Sequence, residues 1–275
     1  RQVRAFVRNP HSEVARALTT EGITLAIGDL FDLASIDRAM SGIQGVFSVQ
    51  TSSPAGEISD EQEVMQGKAI ADSALAAGIR HLVYSSSGAA GKAPTGMGHF
   101  DSKSTIEDYL RALPLSTTIT RPASFMEMML LPGMGLNSGH FFFFMQRHQA
   151  MQMIALQDLG RINAQILCNP ERYRGQTLEL ASQALTGEDL QRAFSDAAGH
   201  PVHYHRFPDE LLAQNTFLRQ LTALVDNGIV AGSADIPALE QEFGMMMTLE
   251  QWLAGPARQS FNAALNAPQA NLVLR

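Results

Sequence analysis

The chain contains one cysteine, Cys168, in 275 residues. That excludes an internal disulfide framework and fits a reducing, cytoplasmic setting, which is the expected location. Positive charge is also short: 20 Lys and Arg stand against 27 Asp and Glu, a net charge of -7. Such a balance argues against a broad phosphate-binding surface, so no direct nucleic-acid partner is expected. No unbroken apolar stretch approaches the ~20 residues of a membrane span, and no signal-peptide pattern opens the sequence. Internal repeats and low-complexity linkers are absent, as are a G-x-S-x-G elbow, a P-loop and an H-E-x-x-H motif. The remaining composition, 45% hydrophobic and 17% charged, is that of a globular protein. The length suits one domain with a smaller lobe. The sequence starts at Arg1 and enters the strand-like "QVRAFV" at once, so an N-terminal segment is expected to precede this numbering.

Two kinds of segment alternate in the first half. "VRAFV" (3–7), "ITLAI" (23–27), "GVFSV" (45–49), "HLVYSSS" (81–87) and "STTIT" (116–120) are short, β-branched-rich runs that read as strands. Helical patterns lie between them at 12–21, 32–41, 60–77 and about 101–112. Asp32 and Ser59 supply start signals, and Gly78 a stop. Strand and helix repeated in this way predict parallel strands with helices on both faces, a doubly wound α/β sheet of Rossmann type. After Pro122 the rhythm changes. "FFFFM" (141–145) and "TLELAS" (177–182) read as strands, and "VHYHRFP" as an extended piece. Thr186 and Asp189 stand at capping-box spacing, and the chain is mostly helical from about 185. The expected division is a dinucleotide-type domain over 1–125, a smaller α+β lobe over 126–262 interleaved with the sheet, and a tail over 263–275.

Three constellations could carry chemistry. Arg8, with Asn9 beside it, ends strand "VRAFV", where a dinucleotide fold meets the adenosine ribose. Its guanidinium suits a 2′-phosphate, and no acid is nearby; a plain surface arginine is the alternative. In "GDLFD", Gly28 allows a sharp exit, and Asp29 with the Leu30 backbone could meet an adenine edge. Asp29 or Asp32 could equally cap the next helix. In "HLVYSSSGAAG" and "GHFDSKSTIEDYL", serines sit at a strand's carboxyl end, where open α/β sheets bind ligands. Lys103 follows His99 by one helical turn, the spacing at which a Tyr–Lys pair serves hydride chemistry. Imidazole can donate a proton near neutral pH, but it is shorter than a phenol, and a structural histidine is the alternative. Ile106, Tyr109 and Leu110 form an apolar stripe on that helix, with Ser104 and Glu107 at capping spacing. His203 and His205 would share a strand face, yet no third metal ligand is evident, so no metal is expected. "GMGLNSG" follows no clear strand and is not a phosphate fingerprint. The Phe run and "GMMM" read as packing.

Taken in order, "VRAFVRNP", "GDLFDLASIDRAMSGIQGVFSV", "EQEVMQGKAIADSALAAGIRHLVYSS", "HFDSKSTIEDYLRALPLSTTITRPASFMEM" and "LQDLGRINAQILCNPERYRGQTLELAS" resemble the NmrA-like family, atypical relatives of the short-chain dehydrogenases. The resemblance runs from Arg1 to about Trp252. It implies a Rossmann domain binding NADP(H), with a Gly-rich loop that would lie before Arg1. By position it implies Arg8 at the 2′-phosphate and Asp29 with Leu30 at the adenine. Gln50, Thr51 and Ser52 match the loop over the cofactor, Lys103 the ribose or nicotinamide contact, and Ser124 with Phe125 the nicotinamide flank. His99 in place of Tyr is similar to the redox-sensing members. The expected function is therefore an NADP(H)-binding redox sensor with little dehydrogenase activity; the alternative is an NADPH-dependent reductase of a quinone or other small electrophile. The partners that follow are a regulatory protein or a small electrophile, and a second copy of the chain.

Overall fold

The computed structural model describes residues 2–50, 58–92 and 94–268. β1 (Arg4–Val7), α1 (Glu13–Thr20), β2 (Thr24–Ile27), α2 (Leu33–Met40), β3 (Gly45–Ser48), α3 (Asp60–Ala76), β4 (His81–Ser85), α4 (Gly98–Ala112) and β5 (Thr117–Pro122) form the first half. The second half holds β6 (Ser124–Phe125), β7 (His140–Phe143), β8 (Met151–Ile154), α5 (Leu156–Cys168), α6 (Pro170–Tyr173), β9 (Thr177–Leu180), β10 (Gln183–Leu185) and α7 (Gly187–Ala198). It continues through β11 (His203–Arg206), α8 (Asp209–Gln214), α9 (Thr216–Asp226), α10 (Ile236–Phe243), α11 (Leu249–Ala254) and α12 (Arg258–Leu265). Every strand expected from the alternation is present, and each expected helix forms within a few residues. The one early shift is α4, which begins at Gly98 and so takes His99 into its first turn.

β3, β4, β5 and β9 make one parallel sheet in that order, and β1 pairs with β2 in a separate parallel pair. β1 and β3 each keep one unpaired edge among the described residues. Strand β4 is buried throughout, and its alternation sorts the two faces. Leu82 and Tyr84 pack with Ile70, Ala74, Ile106 and Leu110 of α3 and α4. Val83 packs on the opposite side with Leu159, Ile162 and Ile166 of α5. Each such large side chain withdrawn from water contributes about 1.5–3 kcal/mol. The helices lie on both faces, as a doubly wound α/β fold requires. The chain then returns: β9, far along the sequence, completes the sheet that β3 began. A third core gathers the Phe141–Met145 run, Met126, Met129, Phe194, Trp252 and Phe261 in the carboxyl-side lobe. The Phe run is packing; of the "GMMM" cluster, Met246 and Met247 pack against the cores while Met245 is exposed.

Local signals explain most helix starts. Ser59 and Gln62 form a reciprocal capping box at α3, and Thr186 and Asp189 another at α7. Gly78 follows α3 with a positive φ of 67°, the left-handed turn that glycine adopts freely. Asp32 precedes α2 but makes no side-chain cap bond. Ser35 Oγ donates to the Asp32 carbonyl instead, at 2.7 Å.

Helices α3 and α4 approach closely because position 67 carries no side chain. A Cβ there would lie 2.6 Å from Ile106 Cδ1 and 2.8 Å from Cγ1. Gly67→Ala should therefore destabilise the protein by about 1–3 kcal/mol despite alanine's better helix propensity. Urea unfolding should show that adding Ile106→Val recovers part of the loss. A stabilised Gly67→Ala protein would contradict this packing.

Candidate functional site

The strand ends of β1 and β2 assemble one group. Gly28 N–H donates to the Val7 carbonyl at 3.1 Å and sets Asp29 beside the end of β1. A Cβ on Gly28 would meet the Phe6 ring at 2.6 Å and Ser35 Oγ at 2.5 Å, so this approach requires glycine. Arg8 and Asn9 are exposed just past β1. Asn9 Oδ1 accepts from His11 N–H at 2.9 Å, which starts the turn into α1. Asp29 Oδ1 accepts from Phe31 N–H at 2.9 Å, and its main chain is held by Ser35 Oγ. Asp29 thus shapes the turn before α2 with one oxygen.

A second group forms where β3, β4 and β5 end. Gln50 is buried and donates from Nε2 to Ser48 Oγ at 2.8 Å, while its Oε1 has no partner among the described residues. Ser87 Oγ, past the end of neighbouring β4, is buried and unpartnered in the same sense. Leaving a buried polar atom unsatisfied costs about 1–3 kcal/mol. Two such atoms at the carboxyl ends of adjacent parallel strands are what a polar ligand in the crevice would engage. Ser86 N–H donates to the Thr120 carbonyl and Gly88 N–H to that of Pro122, so this loop runs beside the end of β5. Ser124 and Phe125 follow directly, half-buried, as strand β6 against Met153 and Ile154. Thr51 and Ser52 lie outside the described residues.

The third group joins the first turns of α3 and α4. Gly98 lies so near Asp60 that a Cβ would fall 1.5 Å from Asp60 Oδ2. Lys103 is buried, and its Nζ donates to Glu63 Oε1 at 2.6 Å. The expected pairing of Ser104 with Glu107 does not occur. Ser104 Oγ accepts from Gly91 N–H, whereas Glu107 is turned inward and fully buried. Three cationic or hydroxyl donors outcompete a cap there. Arg121 Nη2 lies at 2.5 Å, Arg111 Nη2 at 2.7 Å and Ser86 Oγ at 2.5 Å. Burial alone would push the Glu107 carboxyl up, but these hydrogen bonds and the Arg121 charge hold it below the usual range. The apolar stripe holds at Ile106 and Leu110, while Tyr109 donates to Asp72 Oδ1 at 2.7 Å.

His99 packs its ring 3.9 Å from that of Phe100 and 5.3 Å from that of Phe217 on α9, between centroids. Burial pushes its imidazole down to about 4; Asp60 and Asp101 oppose the shift and Lys103 adds to it. At neutral pH this ring is uncharged. It can donate a hydrogen bond but does not carry the extra proton of an imidazolium acid.

Elsewhere, His203 and His205 do share a face of β11, and the parallel register sets His203 opposite His140. His140 Nδ1 lies 2.9 Å from His205 Nε2. Among the described residues no group of three or more His, Cys, Asp or Glu is arranged to hold a metal ion. A cleft of about 790 Å³ runs between β9 and α10, but it shares no residue with the three groups above. No helix among the described residues is long and apolar enough to cross a membrane.

Sequence reasoning placed Lys103 and His99 together and missed what surrounds them. Glu63 reads as one of several acids in a first helical turn. Asp60 reads the same way, and Phe217 is 118 positions from His99. No periodicity announces a buried carboxylate.

Parallel strands with helices on both faces define a Rossmann-type fold. The chain belongs to the NmrA-like family, whose model matches residues 1–248. It is 26% identical over 202 residues to a protein named NAD(P)H azoreductase from Xenophilus azovorans, covering 73% of this chain and 67% of that one. Its fold is similar to that of NmrA, a negative transcriptional regulator, solved in complex with NADP. The TM-score is 0.75 at 22% identity, over 95% of this chain and 89% of that one. It is likewise similar to an NADPH-dependent quinone oxidoreductase, QOR2, from Escherichia coli solved with NADPH. There the TM-score is 0.73 at 22% identity, over 92% and 89% of the two chains.

The depressed His99 has a thermodynamic signature. From pH 6.5 down to about 4 the unfolded chain takes up a proton at this residue that the folded one does not. Stability is therefore fully present above pH 6.5 and is lost as pH falls to about 4, by on the order of 2–3 kcal/mol. Denaturation of the parent and of His99→Gln across this range should show a parent-minus-variant difference that declines on acidification. A constant difference would contradict the burial described.

Proposed function

We propose that this protein binds NADP(H) along the carboxyl ends of its parallel strands and reports redox state to a partner, with little or no dehydrogenase turnover. The observation that carries this reading is the neutral, half-buried His99 at the position where the family resemblance expects a proton donor. The residues present suit the dinucleotide. Arg8, exposed at the end of β1, supplies a fork for the 2′-phosphate. The unbonded Asp29 oxygen and the Leu30 main chain would face the adenine. Gln50 Oε1 and Ser87 Oγ, which lack protein partners among the described residues, would meet polar groups of the ligand. Lys103 would meet the ribose next to the nicotinamide, and Ser124 and Phe125 would flank that ring. The NADP and NADPH complexes of structurally similar proteins support this cofactor.

A second reading has its own support. Phe100 and His99 from α4 and Phe217 from α9 make an aromatic wall between the two lobes. Bound NADPH supplies a hydride, and a quinone or a similar electrophile can accept one without a protein acid. The names of the azoreductase and quinone oxidoreductase favour this alternative. NADPH oxidation across a panel of quinones, dyes and aldehydes separates the two. Binding without turnover supports the sensor, and turnover near ~1 per second or faster supports the reductase.

The phosphate assignment is testable apart from turnover. The parent should bind NADPH more tightly than NADH, and Arg8→Ala should lose about 1.5–3 kcal/mol toward NADPH alone. Calorimetric titration with both nucleotides checks it. Equal affinities in the parent would remove the case for Arg8.

A further inference from the structure

Glu63 is fully buried, and both of its oxygens are engaged: Oε1 by Lys103 Nζ at 2.6 Å and Oε2 by Ser102 Oγ at 3.0 Å. The Lys103 side chain is 9% exposed. Of the three N–H donors of its ammonium, one reaches Glu63, and no other hydrogen-bond partner is present among the described residues. A closed ion pair of this kind is a poor device for stability. Removing both charges from water costs about what their attraction returns, and apolar residues of equal volume often serve as well. The pair joins the first turn of α3 to the second turn of α4, the helices that follow β3 and β4 and so begin at the carboxyl edge of the sheet.

We infer that Glu63 is a positioning residue for the dinucleotide site: it holds the Lys103 ammonium turned so that its two remaining N–H groups face the strand ends. The inference rests on the NADP(H) reading above and deepens it. The two spare donors match the two acceptor oxygens of a ribose diol. Ser102 fixes the carboxylate before any ligand arrives, so less ordering is required on binding. Of the other charged or titratable groups nearby, Glu107 and Asp101 are committed to other partners, whereas Asp60 Oδ1 and the Tyr84 hydroxyl have no hydrogen-bond partner among the described residues. Glu107 is held by Arg121, Arg111 and Ser86. Asp101 accepts from Thr95 and Gly96. Asp60 lies against Gly98 and His99, and Tyr84 stands on β4 near Glu63 and Glu107. Among the described residues, Glu63 is the carboxylate in contact with Lys103.

The sequence makes a direct test practical, because the chain has only three lysines, Lys68, Lys92 and Lys103. In protein labelled at lysine with ¹³C and ¹⁵N, Lys103→Met identifies the Lys103 signal by its loss. In the nucleotide-free Glu63→Gln variant that signal should move from its parent position, because the ammonium loses the carboxylate to which it donates. NADPH affinity of Glu63→Gln should fall about tenfold or more, the loss of one charge-assisted contact. Glu63→Asp, which keeps the charge but shortens the reach, should stay folded and bind with intermediate affinity; it serves alone if Glu63→Gln does not fold. Parent-like affinity in both variants, with an unmoved Lys103 signal, overturns the inference while leaving the site intact. If the parent fails to bind NADPH, the NADP(H) reading fails instead; if Lys103→Met binds like the parent, NADP(H) binding stands but Lys103 does not meet the ribose, and the inference falls with that contact. The nucleotide-free signal still decides whether Glu63 holds the ammonium.

Discussion

The ion pair between Glu63 and Lys103, closed from water at 2.6 Å, is the contact around which the site is built. It holds the first turn of α3 against the second turn of α4 at the edge of the sheet. Two close approaches accompany it, Gly98 against Asp60 and Gly67 against Ile106, and neither tolerates a Cβ without movement. The pair is one of two buried charge networks on this face. Glu107 with Arg121 and Arg111 is the other, and Tyr84 lies near both carboxylates. Burial first, then Glu63 and Glu107, push the Tyr84 phenol upward, so it keeps its proton. The networks differ in what they leave over. Glu107 is surrounded by donors and acts as a structural knot. Lys103 retains donors with no protein acceptor among the described residues.

The same low-dielectric surroundings explain why His99 differs from an acid. Burial disfavours its charged form, and the neighbouring ammonium adds to the effect, so the ring stays neutral where a phenol would have been helped by the same cation. One ion pair therefore has opposite consequences for two kinds of side chain at that position. On the proposed reading, this would pair a cofactor site with weak proton-transfer chemistry. It also gives His99 an apolar role beside Phe100 and Phe217, where ring packing rather than proton donation shapes what can approach.

Much of the fold was legible because its signals are local. β-Branched runs, the Ser59 and Thr186 capping boxes and the stop at Gly78 each act within a few residues. The start of α4 was misplaced because Met97 makes no side-chain cap to mark it. Asp32 failed as a cap because Ser35 took over that turn. Of the proposed site residues, Arg8, Asp29, His99 and Lys103 were named from their places at strand ends and helix starts, and Gln50 from the family resemblance. Glu63 and Glu107 could not be, since their partners lie 40 and 14 positions away. Glu107 even carries a misleading local signal, capping spacing from Ser104, which long-range pairing with Arg121 overrides. Burial of charge is decided by tertiary contacts, and a single sequence does not display them.

The central claim is that one dinucleotide spans the strand ends from Arg8 to Lys103. A crystal structure of the protein grown with NADPH tests it most directly. The account predicts the 2′-phosphate against Arg8 and the nicotinamide ribose hydroxyls within hydrogen-bond distance of Lys103, with the Lys103–Glu63 pair retained. Nucleotide bound elsewhere, or a ribose out of reach of Lys103, would contradict it.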